Sequence, residues 1–116
     1  MIKRPTVDTY NDGVLYVCDP DSARSEFGAK ITAKSEDELT KRYKLNFSEM
    51  SARDSDLQFA EASGRTLTRK VRTRLRQDIG STDQILIGGT LYSIIKLDID
   101  RHRAVMFFYL EEAREL

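Results

Sequence analysis

Gln84-Ile-Leu-Ile-Gly-Gly-Thr-Leu-Tyr-Ser-Ile-Ile-Lys-Leu97 sets two apolar runs on either side of a pair of glycines. Gly88-Gly89 is a two-residue turn signal: the favoured turns of this length need positive φ, which glycine adopts without a Cβ clash. Each flanking run is too short for a helix, so the stretch predicts a β-hairpin. Downstream, Asp98-Ile-Asp-Arg-His-Arg103 reads as a polar connection. Ala104-Val-Met-Phe-Phe-Tyr-Leu110 follows as the most apolar stretch of the chain, a pattern expected of a central strand covered on both faces. Acidic and basic residues close the sequence from Glu111 to Glu115.

Upstream of the hairpin, Thr66 to Arg76 alternates with period two. Leu67, Val71 and Leu75 take one face and Lys70, Arg72, Arg74 and Arg76 the other, with Arg69 the exception on the apolar side. Ala52 to Ser63 is predicted as a short helix, with Ser51 as N-cap, Asp54 completing an acidic capping box and Gly64 as the stop. Arg42 to Met50 alternates again, Tyr43, Leu45 and Phe47 facing one way and Arg42, Lys44, Asn46 and Ser48 the other. A first strand, Val14-Leu-Tyr-Val-Cys18, lies between the Asn11-Asp-Gly13 turn and Asp19-Pro-Asp21. From Asp19 to Thr40 periodicity fails, and a long, mobile, functional loop is expected there. A hairpin through Ala29 to Lys34 is the competing reading. The fold class is therefore mainly β: a small barrel or sandwich of about six strands with one short helix and a long loop.

The 116 residues fit one domain spanning the whole chain, with 40% hydrophobic and 33% charged residues. Nineteen basic residues balance nineteen acidic ones, so no global field draws the chain to nucleic acid or an anionic membrane. A net charge near zero also leaves self-association unopposed. The single cysteine, Cys18, has no partner for an internal disulfide. The opening Met1-Ile-Lys-Arg-Pro5 lacks an apolar signal core, and no apolar run reaches the roughly 20 residues of a membrane helix. The expectation is synthesis in a reducing cytoplasm, without membrane insertion.

No catalytic constellation is visible. His102 is the one histidine and sits between two arginines; Cys18 and His102 lack the ligand spacing that zinc requires. Asp19 and Asp21 beside Cys18 oppose thiolate formation. Gly88-Gly89 leads into a strand rather than into a phosphate-binding helix, and Asp98 and Asp100 adjoin Arg101 and Arg103 as in a solvated turn. No catalytic residue, metal or cofactor is expected. Lys70, Arg72, Arg74 and Arg76 are the candidate contact residues, cations about 6.6 Å apart along a stripe roughly 20 Å long. Three readings of the stripe stay open: a solvated face balanced by acids such as Glu111, Glu112 or Glu115, a surface for an acidic protein neighbour, or a phosphate-tracking surface. Aromatic residues, which single-strand readers interleave with their cations, are missing from the strand itself.

In order, Phe47 to Met50, Arg53-Asp-Ser-Asp56, Leu67-Thr-Arg-Lys-Val-Arg-Thr73, Ile87-Gly-Gly-Thr-Leu-Tyr-Ser-Ile-Ile-Lys-Leu-Asp98 and Arg103-Ala-Val-Met-Phe-Phe-Tyr-Leu-Glu111 form a recognisable series. Over about Tyr43 to Leu110 it resembles the head-closure, or head–tail joining, proteins of long-tailed bacteriophages and prophages. Those run from a short polar helix and a K-V-R-T strand into a G-x-x-Y-x-I-x-x-x-D hairpin and an aromatic last strand. The resemblance implies a homo-oligomeric ring, sixfold or twelvefold, beneath the portal or adaptor protein. Such a ring retains packaged DNA in its channel and offers the attachment surface to a tail-completion protein. It implies a virion component made in the bacterial cytoplasm. It also implies that the loop from Asp19 to Thr40 can plug the channel, with Phe27, Lys30 and Lys34 as its candidate contacts, by length and position rather than by motif. Two alternatives remain: a small nucleic-acid-binding barrel and a tail-terminator subunit.

Overall fold

The computed structural model of the protein describes residues 9–20 and 39–116. In chain order the elements are β1 (Gly13–Cys18), β2 (Lys41–Met50), α1 (Asp54–Ala62), β3 (Arg69–Arg74), β4 (Gln84–Ile87), β5 (Thr90–Asp100) and β6 (Val105–Glu115). The strands close into one antiparallel barrel in the order β1-β2-β3-β6-β5-β4, with β4 returning to β1. Among the described residues the six-strand, one-helix expectation holds, and the choice between barrel and sandwich falls to the barrel.

Alternation along each strand fills the interior. Leu15 and Val17 of β1, Phe47 of β2, Val71 of β3, Ile85 of β4, and Met106, Phe108 and Leu110 of β6 meet there in one cluster, each almost wholly shielded from water. Deleting a ring such as that of Phe108 costs about 3–5 kcal/mol in a core of this kind. Arg69, the inward-facing exception, closes one end of the barrel. Its guanidinium lies 5.2 Å from the Phe47 ring centre and 5.9 Å from that of Tyr92, and its Nε donates to Glu49 at 2.6 Å. A smaller outer cluster of Cys18, Leu39, Leu86 and Leu91 covers the far face of β1 and β4.

Gly88 and Gly89 have φ of +56° and +82°, as the predicted β4–β5 turn requires. Several boundaries differ from the sequence reading: β3 is confined to Arg69–Arg74 within the alternating Thr66 to Arg76, and β6 runs on past Leu110 to Glu115. Asp98 to Asp100, expected in a connection, belong to β5, which stays paired to β6 through Asp100↔Val105. The helix starts at Asp54 with Arg53 as N-cap, not Ser51, and Asp56 rather than Asp54 accepts the Arg53 N–H, at 2.9 Å. The reason lies in tertiary structure: Lys70 of β3 holds the Asp56 carboxylate at 3.0 Å and so fixes which residue occupies the third helical position. At the other end Gly64, with φ +71°, closes the helix; the Arg65 N–H bonds to Ala60 O at 2.8 Å and the Gly64 N–H to Glu61 O at 2.9 Å.

Of the long loop, 21–38 lie outside the described residues, and with them Phe27, Lys30 and Lys34. Its ends are held together. Asp19 N–H donates to Thr40 O at 2.9 Å, and Arg42 spans from Asp19 Oδ1 to Asp83 Oδ1, both at 2.8 Å. Paired with Asp83 and then Asp19, the Arg42 guanidinium is held even more firmly charged than usual. Among the described residues no helix is long and apolar enough to cross a membrane.

Candidate functional site

Outward-facing positions of β2 and β3 build the surface on which the named cations lie, and it divides them. Lys70 does not face solvent: it is only 8% exposed, paired with Asp56 beneath α1, its Nζ 5.0 Å from the Tyr109 ring centre and 5.6 Å from that of Phe107. The expectation of a solvent-facing Lys70 is corrected by Asp56 of α1 and the rings of Phe107 and Tyr109, which together cover the ammonium and convert the first residue of the stripe into a buried tether. Burial opposes the charge on Asp56, but the Arg53 N–H and the Lys70 ammonium outweigh it and keep the carboxyl below its ordinary range.

Arg72 and Arg74 remain together on the outside, whereas Arg76, exposed beyond the end of β3, lies against a different ring. Arg72 and Arg74 place their guanidinium carbons 5.6 Å and 5.8 Å from the ring centre of Tyr10, and Arg76 lies 5.0 Å from that of Tyr43. Tyr10 is held there because its flanks are sewn to β2. The Ser48 hydroxyl donates to Thr9 O, the Asp12 N–H donates to Phe47 O at 3.0 Å, and the Glu49 N–H donates to Asp12 Oδ2 at 2.7 Å. Tyr43, on the inward side of β2 by alternation, lies half-buried near the start of that strand, and its hydroxyl donates to Asp78. Lys44, Asn46 and Arg74 share with Tyr10 a depression of about 460 Å³. Among the described residues no carboxylate lies within ion-pair distance of Lys44, Arg74 or Arg76.

Aromatic residues absent from β3 are thus supplied from outside it. Nothing in the spacing of the sequence places Tyr10 here; its only signal is its position just before the Asn11-Asp-Gly13 turn that starts β1. Lys44 was legible as an outward residue of β2, but its nearness to Arg74 follows from the β2–β3 register, which sets Ser48 against Arg72. The acids considered as partners of the stripe lie elsewhere. Arg72 and Arg74 stand beside Phe107 and Val105, whereas Glu111, Glu112 and Glu115 lie at the opposite end of β6. Glu111 accepts from the Thr66 N–H at 2.7 Å and Arg65 Nε at 3.0 Å, which hold its carboxyl below the usual range.

On the other flank of Arg72 an open groove of about 730 Å³ crosses β3, β6 and β5. Lys70, Phe107 and Tyr109 line it together with Asp98 and Asp100. The Tyr109 hydroxyl donates to Asp98 Oδ2 at 2.8 Å, and burial, then this carboxylate, push the phenol above its ordinary range. Cys18 is fully buried, and desolvation pushes its thiol up to about 11; His102 lies exposed in the β5–β6 turn.

Guanidinium groups offer paired N–H donors in a plane that matches phosphate or carboxylate oxygens, and tyrosine rings accept stacking bases. The β2–β3 face therefore suits a polyanion. The chain matches no family model and no curated protein.

Proposed function

We propose that the protein is a structural component of a long-tailed phage or prophage virion that closes the DNA-filled head below the portal or adaptor and offers the tail its attachment surface. In this reading subunits form a sixfold or twelvefold ring, and the β2–β3 face lies toward packaged DNA. The observation that carries it is the group of Arg72 and Arg74 against Tyr10 with Lys44 beside Arg74, on a chain whose net charge is zero. The closed barrel supports the role, since it gives a rigid frame whose loops and turns can vary without disturbing the face. The resemblance over Tyr43 to Leu110 supplies the biological setting.

The test uses DNA-filled, tailless heads. Added protein should protect the packaged DNA from nuclease and restore tail joining, and Arg74→Glu with Arg76→Glu should abolish protection without unfolding the barrel. Full protection by that variant would overturn the assignment of the face.

A second reading, a small nucleic-acid-binding barrel acting alone, is favoured by Tyr10 beside Arg72 and Arg74. It requires the isolated chain to bind DNA, with affinity falling steeply as salt rises, each phosphate contact steepening the fall. Binding by the isolated chain together with failure on tailless heads would select it.

A further inference from the structure

The ladder between β2 and β3 is short. Among the described residues it runs only over Ser48, Glu49 and Met50, set against Arg72, Val71 and Lys70. Beyond its end lies the depression of about 460 Å³, lined by Lys44 and Asn46 of β2, Arg74 of β3, and Tyr10 and Asn11 from the segment before β1. That volume falls in the range of small-molecule sites, about 300–1,000 Å³, and exceeds what one phosphate group fills.

Three chemistries meet in it. Lys44 and Arg74 are exposed cations, with no carboxylate in ion-pair distance among the described residues. Asn11 and Asn46 each carry an amide with both donors and an acceptor. Tyr10 adds a half-buried ring, held in place before any ligand arrives by the bonds that fasten Thr9 and Asp12 to β2. A nucleotide carries the counterparts of all three on one small frame: an oxyanion, a base edge of donors and acceptors, and an aromatic plane. A polyanion without bases engages the cations alone. Bases inside a duplex keep their planes stacked on one another, so only an unpaired nucleotide can offer its plane to the ring.

We infer that this depression is a subsite for one unpaired nucleotide of a nucleic-acid strand. Tyr10 stacks on the base, Asn11 and Asn46 take hydrogen bonds at its edge, and Lys44 and Arg74 hold the adjoining phosphate. The inference rests on the reading of the β2–β3 face as a polyanion surface and narrows its ligand from phosphate in general to a nucleotide with an exposed base.

Nuclear magnetic resonance titration of the whole chain at low salt tests it, with three probes: a short single-stranded oligothymidylate, an abasic strand of the same length, and a blunt-ended hairpin duplex. The oligothymidylate should shift the amides of Tyr10, Asn11, Lys44 and Asn46 and should bind at least about tenfold more tightly than the abasic strand, the gain from one stacked base. Per phosphate, the hairpin should bind no better than the abasic strand. Tyr10→Ala should erase the preference for the strand with bases, and Tyr10→Phe should keep it. Lys44→Ala should weaken both single strands alike and lower the slope of log affinity against log salt by about 0.7. Circular dichroism of each variant shows whether the barrel is intact, and the three probes on the wild-type chain decide the matter even where a variant fails to fold. No binding of any strand, equal binding of the abasic strand, tighter binding of the hairpin, or an equal loss on both single strands in Tyr10→Ala would each overturn the inference. Nuclease protection of tailless heads without a base preference would remove the subsite and leave the virion role standing; a base preference without protection would do the reverse.

Discussion

Lys70 and Arg74 sit on the same face of one strand, yet they answer to different physics. Lys70 is shielded under α1 and neutralises Asp56 at 3.0 Å, whereas Arg74 stands in solvent against the Tyr10 ring. Lys70→Met leaves a buried carboxylate without its cation and should cost about 3–5 kcal/mol in urea unfolding. Arg74→Glu should stay within about 0.5 kcal/mol of wild type. The sequence showed both as members of one period-two row, because alternation reports which side of a strand a residue takes and not what a later element lays over that side. Asp56 also sets a pH dependence. Its folded-state pKa is depressed, so its contribution is present above the ordinary carboxylate value of about 3.9 and is lost as the pH falls through the lower folded value. Unfolding midpoints of wild type and Asp56→Asn, measured from neutral to acid pH, should therefore differ most near neutrality and converge in acid.

Turns and caps were legible wherever a local backbone need selected the residue. Gly88-Gly89 is the clearest instance, since both positions have positive φ. Gly89→Ala meets no neighbouring atom and should cost only the backbone term, about 1 kcal/mol. Ala104 is the opposite case: it ends the β5–β6 turn at φ +56° without being glycine. Ala104→Gly relieves that strain and should raise thermal stability by about 1 kcal/mol. The helix was found with its stop at Gly64, but its start was placed too early because Ser51 offers a plausible local cap while the actual anchor comes from Lys70 in β3. The long β5–β6 hairpin was cut short for a related reason. Asp98 and Asp100 look like turn residues until the pairing of β5 with Phe107 and Val105 of β6 gives them an outward side on which charges are tolerated.

At the scale of the whole molecule, periodicity and turn chemistry were enough for six strands, but not for closure, which depends on the four-residue bridge from β4 to β5 and on β4 reaching back to β1. The cationic face was legible as a strand and incomplete as a surface, because Tyr10 and Lys44 come from elsewhere in the chain. One part of the architecture stands apart from both. Where 21–38 depart and return, the Asp19–Thr40 backbone bond and the Arg42 bridge to Asp19 and Asp83 hold the two ends in register. Joining Pro20 to Leu39 through an Asn-Gly linker should leave the barrel's far-ultraviolet spectrum unchanged and raise its stability by up to about 1.4 kcal/mol, the saving in closure entropy for the shorter connection. Loss of cooperative unfolding in that variant would show that the barrel depends on the excised residues. A linker variant that keeps cooperative unfolding would make the pinch a socket, a place where one sequence can be exchanged for another while the Asp19–Thr40 bond and the Arg42 bridge keep the barrel in register.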